Sequence, residues 1–304
     1  MINKKQIKKA FKDYLNKLPY VRTLYKLSIQ SKFPAGHFYS PIVDWNEVKE
    51  NENLWTNKDP TELKGIDFNN QEQIELVREF QKCYFDIPWS DEASEGLSYY
   101  FKNIYYSYTD GIFLYSMIRH FKPKRIIEIG SGFSSALMAD TNKLFFDSSI
   151  NLTFIEPFPT RLKSLLKKKD LNNILILEQK VQNVPHEIFE DLQAGDFLFI
   201  DSSHVSKTGS DVNHILFNIL PRIRKGVFIH FHDIFYPFEY PRPWVNEGRN
   251  WNEIYLLRAF LMNNSDFKIK LFSSYLHALH KTTFKNLPLC YQNTGGNLWL
   301  EKLE

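Results

Sequence analysis

The sequence predicts an α/β protein built on a doubly wound parallel sheet, and three observations carry that prediction. From residue 125 onward, short apolar runs alternate with helical stretches at a steady pace, the signature of right-handed βαβ units. The runs are apolar on consecutive residues, as strands covered on both faces require. The first of them, RIIEI at 125–129, breaks at once into Gly130-Ser131-Gly132, which is how a ligand edge opens in such sheets.

Taken in order, residues 3–18 place Ile7, Phe11, Tyr14, Leu15 and Leu18 at spacings of three and four. That predicts an amphipathic helix with a lysine-rich back. Such a helix docks on the body with its charged side in water, which is the simpler expectation. The alternative is contact with an anionic membrane surface or a nucleotide-bearing substrate. Residues 33–45, FPAGHFYSPIVDW, lack either periodicity and predict an ordered, aromatic loop. Residues 71–85 and 108–120 are helical by pattern. Residues 1–120 therefore read as a mostly helical extension and cap, and residues 121–304 as the sheet domain.

Beyond Pro123 the pattern predicts strands at 125–129, 151–157, 174–180, 196–204 and 226–233, with a last strand at 298–302. Helices fall at 134–146, 160–168, 184–192, 210–223 and 252–263. The segment 235–251, FYPFEYPRPWVNEGRNW, is too long and irregular for a plain connection. It reads as a lid or acceptor loop, or as a surface loop whose aromatics cap the sheet.

Composition narrows the class. A chain of 304 residues with 43% hydrophobic and 16% aromatic content is neither disordered nor fibrous. The net charge of +3 points to no particular partner, and no nucleic-acid partner is expected. The charge is uneven, since residues 1–32 hold eight lysines and one arginine against Asp13 alone. No apolar run approaches the ~20 residues of a membrane span, and the basic N-terminus lacks the apolar core of a secretory signal. Peripheral membrane contact through the basic helix stays open, as does a homo-oligomer. Cys83 and Cys290 fit no metal or redox spacing, so the expected compartment is the reducing cytoplasm.

The glycine loop discriminates between cofactors. A dinucleotide fingerprint needs a third glycine, and Gly130-Ser131-Gly132-Phe133-Ser134-Ser135 lacks it. Glu128 just ahead of the loop suits a cofactor that carries positive charge, such as S-adenosylmethionine, better than a pyrophosphate. Glu156 ends the second strand, where an acid accepts from ribose hydroxyls. Val181, Gln182 and Asn183 follow the third strand, a natural place for an adenine contact. Taken alone, each of these acids is an ordinary strand-end residue; their succession along the strand ends favours the cofactor reading.

These residues resemble a known family. IEIGSG, FIEP, GDFLFIDSSH and IHFHDIFYPFEYP are similar to the class I S-adenosylmethionine-dependent methyltransferases, a Rossmann-like fold. Within it they resemble a bacterial subgroup close to small-molecule and sugar O-methyltransferases. The likeness spans roughly 105–265, and PAGHFYSPI extends it toward the N-terminus. It implies O-methylation of a small polar acceptor such as a sugar or glycan precursor. It further implies Glu128, Gly130 and Gly132 at the methionine end, with Ser131, Ser134 and Ser135 in the same loop, and Glu156 at the ribose. Asp201 would lie near the cofactor amino group or the acceptor, and His204, His232 and Asp233 would face the acceptor. A divalent metal on Asp201, His232 and Asp233 is an open expectation, because metal-dependent relatives carry a further acid or amide beside the acid after strand five.

Methyl transfer to oxygen requires alignment and removal of a proton, which a histidine near neutral pKa or a metal supplies. Asp201, His204, His232 and Asp233 are the catalytic candidates, and His230, deeper in its strand, is expected to be structural. Tyr105, Tyr106 and Tyr108 are placed to pack over the cofactor, with Tyr108 assigned to it and Asp110 beside it. Arg242, Arg249 and Glu253 are expected at a polar acceptor, and His37 and Tyr39 within its reach. Two competing readings are a nicotinamide-dependent oxidoreductase, which the missing glycine disfavours, and a non-catalytic methyltransferase-like binding protein.

Overall fold

A computed structural model describes residues 4–15, 17–28, 31–52, 63–167, 170–171 and 174–304. The chain divides into two compact units, Met1–Lys58 and Asp59–Glu304. This division does not coincide with the boundary expected at residue 120. The helices Asn70–Tyr84 and Tyr108–Phe121 belong to the unit that carries the sheet.

The first unit contains helices Lys4–Leu15, Pro19–Ser28 and Trp45–Glu50. The single helix expected over 3–18 stops at Leu15, and Pro19 opens the next, a position where its missing N–H costs nothing. Asp44 caps the third helix by accepting from the N–H groups of Asn46 (2.8 Å) and Glu47 (3.4 Å). Between them the 33–45 loop gathers its rings: His37 stacks on Phe33 at 4.7 Å and on Phe38 at 4.4 Å.

The second unit is a seven-stranded sheet. Its strands are β1 (Arg125–Ile129), β2 (Asn151–Ile155), β3 (Ile174–Leu177), β4 (Phe197–Ile200), β5 (Phe228–Phe231), β6 (Phe267–Phe272) and β7 (Leu298–Lys302). They run in the order β3-β2-β1-β4-β5-β7-β6. The pairs among β1 to β5 are parallel, and β7 is antiparallel to both β5 and β6. The sheet is therefore mixed rather than wholly parallel. Pattern reading located β7 but not β6. Buried Phe267, Ile269 and Leu271 alternate there with partly exposed Lys268 and Lys270, a period of two unlike the continuous runs of the parallel strands. The helix expected over 210–223 changes winding along its length. Asp211–His214 is α-helical, Ile215–Ile219 is π-helical, and Leu220–Arg222, around Pro221, closes as a 3₁₀ turn.

The helical cap is welded to the sheet by polar groups as well as by packing. Phe80 and Phe113 are fully buried with ring centroids 5.7 Å apart, so the two cap helices share one core. The buried Gln73 carbonyl accepts from the Phe272 N–H at 2.7 Å, which ties the first of them to β6. Asp140, buried on helix Phe133–Phe145, accepts from the Trp89 indole (2.9 Å) and from the N–H groups of Ser98 (2.8 Å) and Tyr99 (3.0 Å). That one carboxylate anchors the 89–99 segment. Replacing it with an apolar side chain orphans three buried donors, each costing ~1–3 kcal/mol. We expect Asp140→Leu to lower the unfolding free energy in urea by at least ~3 kcal/mol, while Lys285→Ala at the surface stays within ~0.5 kcal/mol of the parent.

Candidate active site

The direction of winding reverses between β1 and β4, and open α/β sheets bind ligands at the carboxyl ends flanking such a reversal. A cleft of about 520 Å³ lies there, lined by Gly130, Glu156, Val181, Gln182, Asp201 and Ser203 among others. A larger hollow of about 650 Å³ lies at the opposite end of the sheet, beside the start of β6, with Asp67 and Lys268 as its only ionisable lining residues among the described ones. It brings together no set of groups able to do chemistry, so the strand-end cleft is the functional candidate.

The glycine turn follows from the approach of two strands. Asp201 N–H donates to the Ile129 carbonyl at 2.9 Å, drawing the end of β4 onto the end of β1. Gly130 has φ +79°, and a Cβ there would stand 1.8 Å from the Asp201 carbonyl oxygen, so no other residue fits. Gly132 is different. Among the described residues a Cβ on it would meet only Arg161 Cδ, at 3.7 Å, an ordinary contact.

The acids of the turn divide their work. Glu128 is fully buried and does not line the cleft. Its carboxyl accepts from the hydroxyls of Ser134 (2.5 Å) and Ser135, holding the start of helix Phe133–Phe145 beneath the turn. Burial pushes it up to about 8, against the pull of the two serines. Where Glu128, Ser134 and Ser135 are expected at a ligand, the structure turns them toward one another. Glu156 stands in the cleft wall, accepting from the N–H groups of Ser131 (3.1 Å) and Phe158 (2.8 Å). Val181 is buried in the turn after β3, and the Gln182 amide donates to the Gly209 carbonyl at 2.9 Å. Tyr108 is engaged elsewhere: its hydroxyl donates to Asp91 at 3.0 Å and its ring stacks on Phe101. Arg161, which no sequence signal marked, lies over the Tyr105 ring at 4.0 Å and helps to depress the Asp201 carboxyl.

Beside the cleft sits a charged cluster. His204 Nε2 lies 3.4 Å from Asp201 Oδ1 and 3.6 Å from Asp233 Oδ2, and its Nδ1 is 2.9 Å from Glu253 Oε2. Asp201 keeps about 33% of its side chain exposed and so faces both cleft and cluster, whereas His204 and Glu253 are buried. His204 and Asp233 both have φ +59°, a left-handed conformation that a non-glycine residue holds only when its surroundings impose it. For His204 the reason is visible. Its carbonyl accepts from the N–H groups of Asn252 (3.0 Å) and Glu253 (3.1 Å), fixing the start of helix Glu253–Leu261 and aiming Glu253 back at the ring. Glu253, expected at the acceptor, is instead the partner that orients the histidine.

The charges act on one another. Burial disfavours the imidazolium of His204, but hydrogen bonds to Asp201 and Glu253 outweigh it and raise its pKa well above the usual value. Burial works to raise Asp201, and the charge of His232 with the hydrogen bond of His204 leaves it lowered. Burial leaves Asp233 raised, although His232 and His204 pull it down. His232 is raised against burial by Asp233, Asp201 and Asp110, with its Nε2 3.4 Å from Asp233 Oδ1. His230 is the opposite case: burial drives it well below its usual value, between Phe199 (4.0 Å) and Trp299 (4.7 Å), as a structural ring. Asp110 lies buried, lifted by its burial to about 6 and accepting from Gly296 N–H (2.7 Å) and Asn297 (2.9 Å).

Such a set stabilises a cation, either the proton on His204 or a divalent ion. One ligand atom each from Asp201, His204 and Asp233 falls within 4.8 Å of the others, so His204 rather than His232 completes the trio that the structure assembles. Carboxylate oxygens with an imidazole whose far nitrogen is held by Glu253 make a chemically suitable donor set. The aromatic loop closes over the cluster: Trp251 packs 4.4 Å from the His204 ring and 5.4 Å from Trp244, and Arg249 lies 4.0 Å over Trp244. His37 and Tyr39 belong to the first unit, their rings 5.6 Å apart.

A strand order with one antiparallel insertion, a glycine turn and an acid-walled cleft define a Rossmann-like methyltransferase fold. Residues 127–234 match the family model described as a methyltransferase domain. An uncharacterized protein of Archaeoglobus fulgidus is 36% identical over 167 residues, which cover 53% of this chain and 74% of that one. Residues 127–234 therefore belong to the S-adenosylmethionine-dependent methyltransferases. Among solved structures it is similar to the O-methyltransferase TomG of Streptomyces achromogenes in complex with SAM, at 15% identity and TM-score 0.41 over 84% of this chain and 99% of that one. It is also similar to the SAH-bound methyltransferase PaMTH1 of Podospora anserina, at 16% identity and TM-score 0.43 over 86% and 99%.

The raised pKa of His204 has a measurable consequence. A histidine raised on folding contributes stability that is fully present below its unfolded value near ~6.5 and is lost as pH rises through the folded value. In chelator-treated protein, the parent's melting temperature should fall between neutral and alkaline pH more steeply than that of His204→Gln; parallel curves would contradict the assignment.

Proposed function

We propose that this chain transfers the methyl group of S-adenosylmethionine to a hydroxyl of a small polar acceptor, a sugar or glycan precursor fitting the loop best. The observation that carries the reading is that Asp201 joins an acid-walled cofactor cleft to the His204–Asp233 cluster. In this reading the adenine edge meets Val181 and Gln182, the ribose hydroxyls meet Glu156, and the cationic methionine end passes over Gly130 toward Asp201. Glu128 acts from below by holding the turn. Trp244 and Trp251 give the acceptor flat apolar faces, and Arg249 gives it a cation.

In the reaction, the acceptor oxygen attacks the methyl carbon, the carbon–sulfur bond breaks with its electron pair going to sulfur, and S-adenosylhomocysteine leaves with a neutral thioether. The hydroxyl proton must go to a nearby base. His204 is a poor choice, because its carboxylate partners keep it protonated. Asp233, raised by burial and in contact with His232, is the better one. His204 and Glu253 hold Asp201 and Asp233 in place. Asp201, His204 and Asp233 would also hold a divalent ion, which when bound supplies Lewis acidity to an acceptor hydroxyl.

Calorimetric titration tests the cofactor half. S-adenosylmethionine and S-adenosylhomocysteine should bind and NADH should not, and Glu156→Ala should weaken binding about 10- to 100-fold, as loss of a charge-assisted hydrogen bond does. Asp233→Asn should keep that binding while S-adenosylhomocysteine formation with a panel of sugar acceptors falls about 100-fold or more. Undiminished turnover in Asp233→Asn would remove it from the reaction, and tight NADH binding alone would overturn the cofactor assignment.

A further inference from the structure

The first unit presents a surface that the methyltransferase reading leaves unused. Residues 1–32 carry eight lysines and one arginine against one acid, on a chain whose net charge is only +3. In helix Lys4–Leu15 the helical period brings Ile7, Phe11 and Tyr14 onto one face, with Lys8, Lys9 and Lys12 on its flank and back. A helix of this kind in a folded unit normally buries its apolar face. Here Ile7 is 53% exposed, Phe11 63% and Tyr14 62%, and Leu18, Tyr20 and Leu24 beyond them are exposed as well. A second feature of the same unit repeats the pattern. The 33–45 loop turns at Gly36 (φ +80°) and stacks Phe33, His37 and Phe38, leaving Phe38 81% and Tyr39 66% exposed.

We propose that residues 4–15, 17–24 and 31–43 form a docking surface for an anionic lipid bilayer. The charge decides the sign of the partner, because a lysine-rich segment with one acid is drawn to a negative surface. The apolar face decides its nature. Nucleic acid offers phosphates but no hydrocarbon for Ile7 and Phe11, whereas the headgroup boundary of a bilayer takes both the lysines and the apolar stripe. Tyrosine and other amphipathic rings favour that same boundary, which suits Tyr14, Tyr20 and Tyr39. Among the described residues no helix is long and apolar enough to cross a membrane, so this contact is peripheral. The inference is independent of which acceptor the cleft takes.

Co-sedimentation of the full chain with phosphatidylcholine vesicles, with and without phosphatidylglycerol, tests it. Binding is expected to the anionic vesicles only, weakening as salt is raised. The double variant Lys8→Glu/Lys9→Glu and the single variant Phe11→Asp should each reduce the bound fraction about tenfold or more, with circular dichroism and cofactor binding unchanged. Four results would overturn it. They are no binding to anionic vesicles at low salt, binding indifferent to Phe11→Asp, a dimer in solution that Phe11→Asp dissociates, and a lower melting temperature for Phe11→Asp that reveals a face packed on the chain itself.

Discussion

The site depends on the register that brings Asp201 against the end of β1. Its N–H binds the Ile129 carbonyl, and its own carbonyl occupies the space that any side chain at 130 would need. Its carboxylate then serves two surfaces, lining the cleft on one side and meeting His204 on the other. A one-residue slip between β1 and β4 would reverse every side chain of the strand end and separate cleft from cluster. The glycine turn is thus first a consequence of strand packing, and its openness to a ligand follows from that.

Burial gives the cluster its character. Three carboxylates around one enclosed imidazole form a group that is stable only with a cation among them, since water is too scarce to screen them. Glu253 closes the set through a helix whose first N–H groups bind the carbonyl of the same histidine. Side chain and backbone of His204 are therefore fixed by one element, which explains how the residue is kept in a left-handed conformation. Asp233 shares that conformation. Gly296 lies against it so closely that a Cβ there would stand 2.9 Å from the Asp233 Cα, placing the entry to β7 directly behind the cluster.

Much of this was legible in the sequence, for definite reasons. Parallel strands covered on both faces write continuous apolar runs, so β1 to β5 were readable, and acids at their ends marked the cleft edge at Glu156 and Asp201. The edge strand β6 was not, because Lys268 and Lys270 interrupt it on the partly exposed face. Asp201, His204 and Asp233 could be named together because each closes or follows a strand, but the link to Glu253 spans 49 residues and leaves no local trace. Glu128 carried the right chemistry for a cationic ligand, yet only the packed structure shows its carboxyl spent on Ser134 and Ser135. The contact of the Tyr108 hydroxyl with Asp91 likewise leaves no local trace in the sequence.

The claim that cleft and cluster are one site is tested most directly by a crystal structure of the chain soaked with S-adenosylhomocysteine. The ribose hydroxyls are expected on Glu156, the adenine beside Val181, and the sulfur directed at the space between Asp201 and Asp233. Density for the ligand in the hollow beside β6, or a sulfur pointing away from His204 toward solvent, would contradict it.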